Sequence, residues 1–192
     1  MTQAEPGLRE RGKRRRTERI LDAGLELLRE EPDQLLTVER IAARAEVAPM
    51  TVFNLVGNRE QLWGAMADRA LEQFDVSSID GVTPRDRARR IVEAVVRVLR
   101  SDPDVFRELL TGWGHSRRVL AHDPTRALTD CLREAVAGGS GRSDVDVRLY
   151  GEVMAAGMMG TIHQWTTGLI SDRAFGIRAR AVVDITFDAA GV

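Results

Sequence analysis

The 192-residue sequence predicts an all-α protein of about nine helices. Along most of the chain, apolar residues recur at intervals of three and four, the spacing of an amphipathic helix. Helix-capping residues followed by proline or glutamine mark the starts of several of these segments. Little of the sequence alternates between apolar and polar residues as a half-buried strand does. We therefore expect helices and no sheet.

Composition favours a soluble protein with a packed core. Hydrophobic residues make up 43% of the sequence, and 28 basic residues balance 29 acidic ones. The single cysteine, Cys131, excludes an intramolecular disulfide and a multi-cysteine metal site. The longest apolar stretch, residues 153–162, is about half of the ~20 residues that a membrane span needs. The charged N-terminus precedes no apolar region and predicts no signal peptide, so we expect a cytoplasmic protein without a membrane partner.

Four short helices are predicted in the first part of the chain. The first carries the apolar stripe Ile20, Ala23, Gly24, Leu27 and Leu28 and ends near Pro32. Thr37 caps the second, whose inward residues are Val38, Ile41, Ala42 and Ala45. Pro49 fits the first position of the third. Asn58 and Gln61 form a variant of the capping box and open the fourth, which carries Leu62, Met66 and Ala70.

Five longer helices follow. Thr83-Pro84, Asp102-Pro103 and Asp123-Pro124 each place a capping oxygen before a proline at the first helical position. After a glycine-rich loop at 138–141, Ser143 opens the longest helix, which runs to about Leu169. Ser171 opens the last, with Ile177, Ala181, Val182 and Ile185 predicted to face inward. A domain boundary is expected near residue 60, within or beside the fourth helix, as a rigid joint without a flexible linker.

The spacing between Thr37 and Leu62 predicts a helix-turn-helix. The second helix ends near Ala45, and a tight turn at residues 46–47 leads to the third. Val47, Val52 and Val56 fall on one side of that helix and are expected to pack inward, which leaves Met50, Thr51 and Asn54 exposed. Proteins place a helix in the DNA major groove with this arrangement.

At these residues the sequence resembles the tetracycline-repressor (TetR) family of transcriptional regulators. The resemblance lies in residues 19–28, 37–45, 47, 51–56 and 58–62, roughly the first third of the chain. It implies a homodimeric repressor with a DNA-binding domain at 1–60 and a helical ligand-binding and dimerisation domain at 61–192. The dimer would form through the last two helices, here about 143–169 and 171–188. A small-molecule effector would release the protein from a pseudo-palindromic operator in double-stranded DNA.

Four positions depart from the family pattern. Glu46 stands where the family has a turn glycine, and Ala48 where it has a capping serine. Phe53 replaces a tyrosine that contacts phosphate, and it has no hydroxyl group to donate. Arg59 replaces a lysine and can still bind a phosphate, with a bidentate geometry.

The DNA contacts are expected from the third helix and from a basic arm. Residues 9–19 hold seven basic side chains and two acidic ones, which fits either an arm along the phosphate backbone or a solvated tail. Residues 1–60 carry as many acidic as basic side chains, so the positive charge must be concentrated at the arm and at Arg44 and Arg59. The residues expected at the interface are Arg14, Arg15, Arg16, Thr37, Ala48, Met50, Thr51, Phe53, Asn54 and Arg59.

An effector pocket is one of two interpretations of the longest predicted helix. Its residues Met154, Met158, Thr161 and Trp165 lie on one face and could line such a pocket together with Trp113. The alternative is ordinary core or dimer interface. We expect the effector to be a small apolar or aromatic molecule.

No catalytic constellation is visible in the sequence. The three histidines, His115, His122 and His163, do not share a metal-ligand spacing. We therefore expect no enzyme activity, no cofactor and no metal. The alternative function is a small-molecule-binding helical protein whose DNA-binding module is degenerate.

Overall fold

The computed structural model describes residues 7–72, 74–111, 124–140 and 144–192, and these residues form nine α-helices and no strand. The all-α prediction is confirmed. The chain divides into two compact units, Met1–Ala70 and Leu71–Val192. The division lies at the end of the fourth helix, so the whole of that helix belongs to the first unit. The sequence had placed the boundary near residue 60.

The first unit contains four helices: α1 (Leu8–Glu30), α2 (Val38–Arg44), α3 (Pro49–Val56) and α4 (Arg59–Ala70). Helix α1 packs against the other three. The small core is fully buried and consists mainly of Ile20, Ile41, Val52, Leu62 and Met66.

Helix α4 is held against α1 at two places, which is why it belongs to the first unit. A Cβ at Gly24 of α1 would lie 2.3 Å from the sulfur of Met66, so a larger residue there would displace the Met66 side chain. Arg69 of α4 also forms an ion pair with Asp22 of α1, at 2.9 Å from Nε to Oδ1.

The second unit contains five helices: α5 (Pro84–Ser101), α6 (Pro103–Thr111), α7 (Thr125–Ala135), α8 (Val147–Thr166) and α9 (Asp172–Ala190). A 3-10 turn at Val76–Ser78 precedes α5, and a π-helical turn at Val136–Ser140 follows α7. Helix α5 packs against α7 and α9, and α8 packs against α6, α7 and α9. The largest buried side chains of this unit are Ile91, Leu128, Leu132, Met154, Trp165, Phe175 and Phe187.

Most of the predicted helix starts are confirmed. Thr83 accepts a hydrogen bond from the backbone N–H of Asp86, and Ser171 accepts one from that of Ala174. Helix α8 is shorter than predicted, because Asp146 caps it by accepting from two backbone N–H groups. Ser143, the predicted cap, lies outside the described residues, as does Asp123 before α7.

The predicted inward face of α9 is wrong in part. Ile177 and Ile185 are 60% and 67% exposed, and Ala181 and Val182 are half-buried. A neighbouring stripe packs inward instead: Phe175, Ala179, Val183, Thr186, Phe187 and Ala190. Helix α9 therefore carries two apolar stripes, and helical periodicity alone does not distinguish the inner from the outer one. Among the described residues, no helix is both long and apolar enough to span a membrane.

Candidate nucleic-acid interface

The turn between α2 and α3 has the hydrogen bonds of a Schellman motif. The N–H of Val47 donates to the carbonyl of Ala42 at 2.9 Å, and that of Glu46 donates to the carbonyl of Ala43 at 3.1 Å. Glu46 occupies the left-handed position of the motif, with φ of 53°. It is the one non-glycine residue with positive φ among the described residues. Glycine adopts this conformation without steric strain.

Helix α3 begins without a side-chain cap. Ala48 is the N-cap residue, with φ of −72° and ψ of 146°, and it has no side-chain oxygen to accept from the first N–H groups. Pro49 follows at the first helical position, as predicted, and the N–H of Thr51 donates to the carbonyl of Ala48 at 2.8 Å. At the start of α2, in contrast, Thr37 Oγ1 accepts from the N–H of Arg40 at 3.2 Å. Thr37 is half-buried and has this structural role.

The outer face of α3 is formed by Met50, Phe53 and Asn54. Met50 is 65% exposed, Phe53 is 42% exposed, and Asn54 is also exposed. On the opposite side Val52 is completely buried, so the orientation of the helix on its unit is fixed. Thr51 is half-buried rather than fully exposed. The face offers an amide, a thioether and an aromatic ring to a partner.

The predicted inner face of α3 is confirmed only at its centre. Val47 and Val56 are half-buried, because they lie in the turn before the helix and at its last position, where the packing against α1 and α2 is incomplete.

Arg59 lies at the start of α4 with its guanidinium group over the ring of Trp63, 4.2 Å from the centroid. Trp63 is buried, while Arg59 is exposed. The predicted capping box holds the same turn: Asn58 N–H donates to Gln61 Oε1 at 2.8 Å, and Gln61 N–H donates to Asn58 Oδ1 at 2.9 Å. The stacked guanidinium keeps its N–H edge available for a phosphate.

The basic arm is helical. Helix α1 begins at Leu8, so Arg14, Arg15 and Arg16 lie within it. All three arginines are exposed. Arg14 pairs with Glu18, four residues further on, at 2.8 Å, and Arg16 Nε donates to the carbonyl of Gly12 at 3.3 Å. A continuous helix presents these charges along its surface and cannot follow a groove as a loose chain does.

Arg44 does not serve as a free positive charge, in contrast to the expectation. Its guanidinium group contacts Glu30 at 2.6 Å and Glu26 at 3.3 Å, which ties α2 to α1. The hydrogen bond from Arg44 and its charge hold the pKa of the Glu30 carboxyl below its usual range. The same hydrogen bond raises the pKa of Arg44. Arg44 therefore has a structural role within the first unit.

The residues expected at an effector pocket are packed in the second unit. Met154, Met158, Thr161 and Trp165 are all buried. The indole N–H of Trp165 donates to Asp172 at 2.8 Å, and its ring stacks on Phe175 with centroids 4.9 Å apart. Arg107 lies over the same indole ring, 5.1 Å from its centroid. Their burial fits the interpretation of these four residues as ordinary core. Trp113 lies outside the described residues.

Solved structures resemble this chain along almost its whole length. FadR from Thermus thermophilus, a TetR-family repressor solved with lauroyl-CoA, has a TM-score of 0.72 and 18% identity, over 92% of this chain and 95% of that one. A TetR transcription regulator from Haloarcula marismortui has a TM-score of 0.67 and 20% identity, over 92% and 98%. The chain has the fold of TetR-family regulators.

A third similar structure is the transcriptional regulator FadR from Bacillus subtilis, solved with stearoyl-CoA. It has a TM-score of 0.65 and 18% identity, over 91% of this chain and 98% of that one. No protein-family model matches the sequence. No curated protein matches it either.

The stacking of Arg59 on the ring of Trp63 was not predicted from the sequence. The signal was present, because Arg59 and Trp63 are four residues apart on α4 and so share a helix face. The pairing of Arg44 with Glu26 and Glu30 had no such signal in the sequence. Glu26 and Glu30 also lie four residues apart, but only the fold brings Arg44 to them.

Proposed function

We propose that the chain is a sequence-specific DNA-binding transcriptional repressor. The observation that carries this proposal is the outer face of α3. Met50, Phe53 and Asn54 are exposed on a short helix whose other side is fixed by the buried Val52. An asparagine amide can bond an adenine base with two hydrogen bonds, and the exposed apolar groups suit a thymine methyl. Arg59 and the arginines of α1 supply the phosphate contacts.

The second part of the proposal is a homodimer formed through α8 and α9. Both helices expose apolar residues that have no place in the core of the unit. We call these residues the apolar stripe: Leu149, Val153, Ala156, Met159 and Gly160 on α8, with Ile177 and Ile185 on α9 and the half-buried Ala181 between them. A contiguous apolar surface on two neighbouring helices favours a protein partner. A second copy of the chain offers the same surface, as two-fold symmetry requires, and would place two α3 helices on one pseudo-palindromic site.

The third part is release from DNA by a small apolar or aromatic effector bound in the second unit. The two FadR structures support an apolar ligand, since lauroyl-CoA and stearoyl-CoA carry long hydrocarbon chains. The effector must bind more tightly to the conformation with low operator affinity, because only differential binding shifts the equilibrium.

A helical ligand-binding protein without sequence-specific DNA binding is the second candidate. Three observations favour it: α3 lacks a side-chain cap at Ala48, Phe53 has no hydroxyl group, and Arg44 is paired within the unit. Each removes a contact or a positive charge that DNA binding could use.

Selection of bound duplexes from a random-sequence DNA library distinguishes the two candidates. A repressor that reads bases is expected to enrich a two-fold symmetric motif with half-sites about one helical turn apart. A degenerate module is expected to enrich no motif and to bind every duplex weakly, with an affinity that falls steeply with salt.

A further inference from the structure

A groove of about 900 Å³ runs between α5 and α9 in the second unit. Its floor is apolar, since Val92 and Val96 are buried beneath it. Gly176 of α9 lines the groove next to Val96 of α5. The volume lies within the range of roughly 300–1,000 Å³ that is usual for small-molecule sites.

Six charged side chains line the walls of this groove. Four are arginines and two are carboxylates: Arg97, Arg100, Arg173 and Arg180, with Glu93 and Asp172. Both carboxylates are already neutralised. Glu93 pairs with Arg180 across the groove. Asp172 accepts from the indole N–H of Trp165 at 2.8 Å and from Arg107 at 3.3 Å.

Three arginines are left without a counter-charge. Within the part of the chain that the structure describes, Arg97, Arg100 and Arg173 make no ion pair, and all three are exposed. Arg97 and Arg100 share one face of α5, and Arg173 lies on α9 at the opposite wall. An anion bound between the two walls would be attracted by all three guanidinium groups.

We infer that this groove binds the phosphate end of a small organic ligand. Guanidinium groups bind phosphate oxygens with paired, charge-assisted hydrogen bonds. Three arginines on two walls match a group with two or more negative charges better than a single carboxylate. The apolar floor takes the organic part of the molecule. The site differs from the buried cluster around Met154 and Trp165 that the sequence had suggested.

The groove also touches the apolar stripe, because Ile177 belongs to both. A ligand in the groove would therefore lie beside the proposed dimer contact and could bias its geometry. This coupling rests on the proposed function, whereas binding of the ligand does not.

Calorimetric titration of the full chain without DNA tests the binding claim. The ligands are inorganic pyrophosphate and adenosine 3′,5′-bisphosphate, which has an organic body between two phosphates. The test variant is Arg97→Gln/Arg173→Gln. The control, Arg126→Gln/Arg148→Gln, removes the same charge from exposed positions in the same unit that do not line the groove. Melting curves confirm that both variants fold.

The nucleotide is expected to bind the parent more tightly than pyrophosphate does. The groove variant should weaken its binding by at least about tenfold, and the control should leave it nearly unchanged. Equal losses in the two variants would mean that net charge alone attracts the anion, which overturns the site. Equal affinity for the two ligands would show that the apolar floor does not bind the organic part of the ligand. Absence of binding to the parent would overturn the inference, and none of these results bears on DNA binding.

Discussion

Glu46 adopts a left-handed backbone conformation because the Schellman motif at the end of α2 requires it. Positive φ at a non-glycine residue costs on the order of 1 kcal/mol, and the missing cap at Ala48 costs about the same. Both features were predictable from the sequence, since each depends on residues within a few positions along the chain. The ion pair of Arg44 with Glu30 was not, because it depends on how α2 packs against α1.

The substitutions Glu46→Gly and Ala48→Ser should each stabilise the first unit by about 1 kcal/mol. The first removes the strain of positive φ, and the second supplies an oxygen for the free N–H groups of α3. Hydrogen exchange of residues 46–56 should slow in both variants.

Ala43→Gly is a matched control for this pair of substitutions. Ala43 is exposed in the helical part of α2, so glycine there should destabilise the unit by about 1 kcal/mol and speed exchange. Unchanged exchange in both Glu46→Gly and Ala48→Ser would show that the start of α3 is misassigned.

Helix α1 shows what an amphipathic pattern reveals about an element and what it does not. The stripe from Ile20 to Leu28 predicted the part that packs on other helices. The preceding turns, from Leu8, are exposed and carry no stripe, although arginine and lysine are good helix formers. Helix α9 shows the converse, because its two apolar stripes gave two possible inward faces. In both helices, only the packing of the whole unit decides which residues face inward.

Replacing Arg14, Arg15 and Arg16 by alanine should weaken binding to operator and scrambled duplexes equally. The slope of log affinity against log salt should fall by about one for each arginine that contacts a phosphate. Affinities measured at several salt concentrations give this slope. Arg126, Arg133 and Arg148, replaced together by alanine, form the control in the second unit. If the slope of the α1 variant equals that of the parent, the N-terminal half of α1 makes no phosphate contacts.

At the scale of the whole molecule, the sequence predicted the all-α class and the helix-turn-helix more fully than the second unit. Capping and turn signals are local, so helix starts could be inferred from them, as at Thr83 and Ser171. Met154, Met158, Thr161 and Trp165 share one face of α8, and the sequence left two interpretations of that face because a buried methionine stripe has the same spacing in a core and in a pocket. The groove between α5 and α9 had no sequence signal, since its walls come from separate helices.

The double substitution Val153→Glu/Ile185→Glu should convert a dimer into monomers. It places two buried, like-charged carboxylates from each chain in the proposed interface, at a cost of several kcal/mol. Sedimentation velocity measures the mass directly. Val82→Glu, at a position that is 89% exposed outside the apolar stripe, should leave the dimer intact. A dimeric double variant, or a monomeric parent, would contradict the proposed interface.

The proposed function depends most on the outer face of α3, which is expected to read DNA bases. The most direct test is the ratio of affinities for a selected operator and a scrambled duplex, in the parent and in Asn54→Ala. Asn54 is exposed, so its removal should not disturb the fold. If α3 reads bases, Asn54→Ala should lower the discrimination between operator and scrambled duplex by about 1–3 kcal/mol. Binding to the scrambled duplex should be unchanged. An unchanged ratio of the two affinities in Asn54→Ala, with the operator still bound tightly, would contradict base reading by this face of α3.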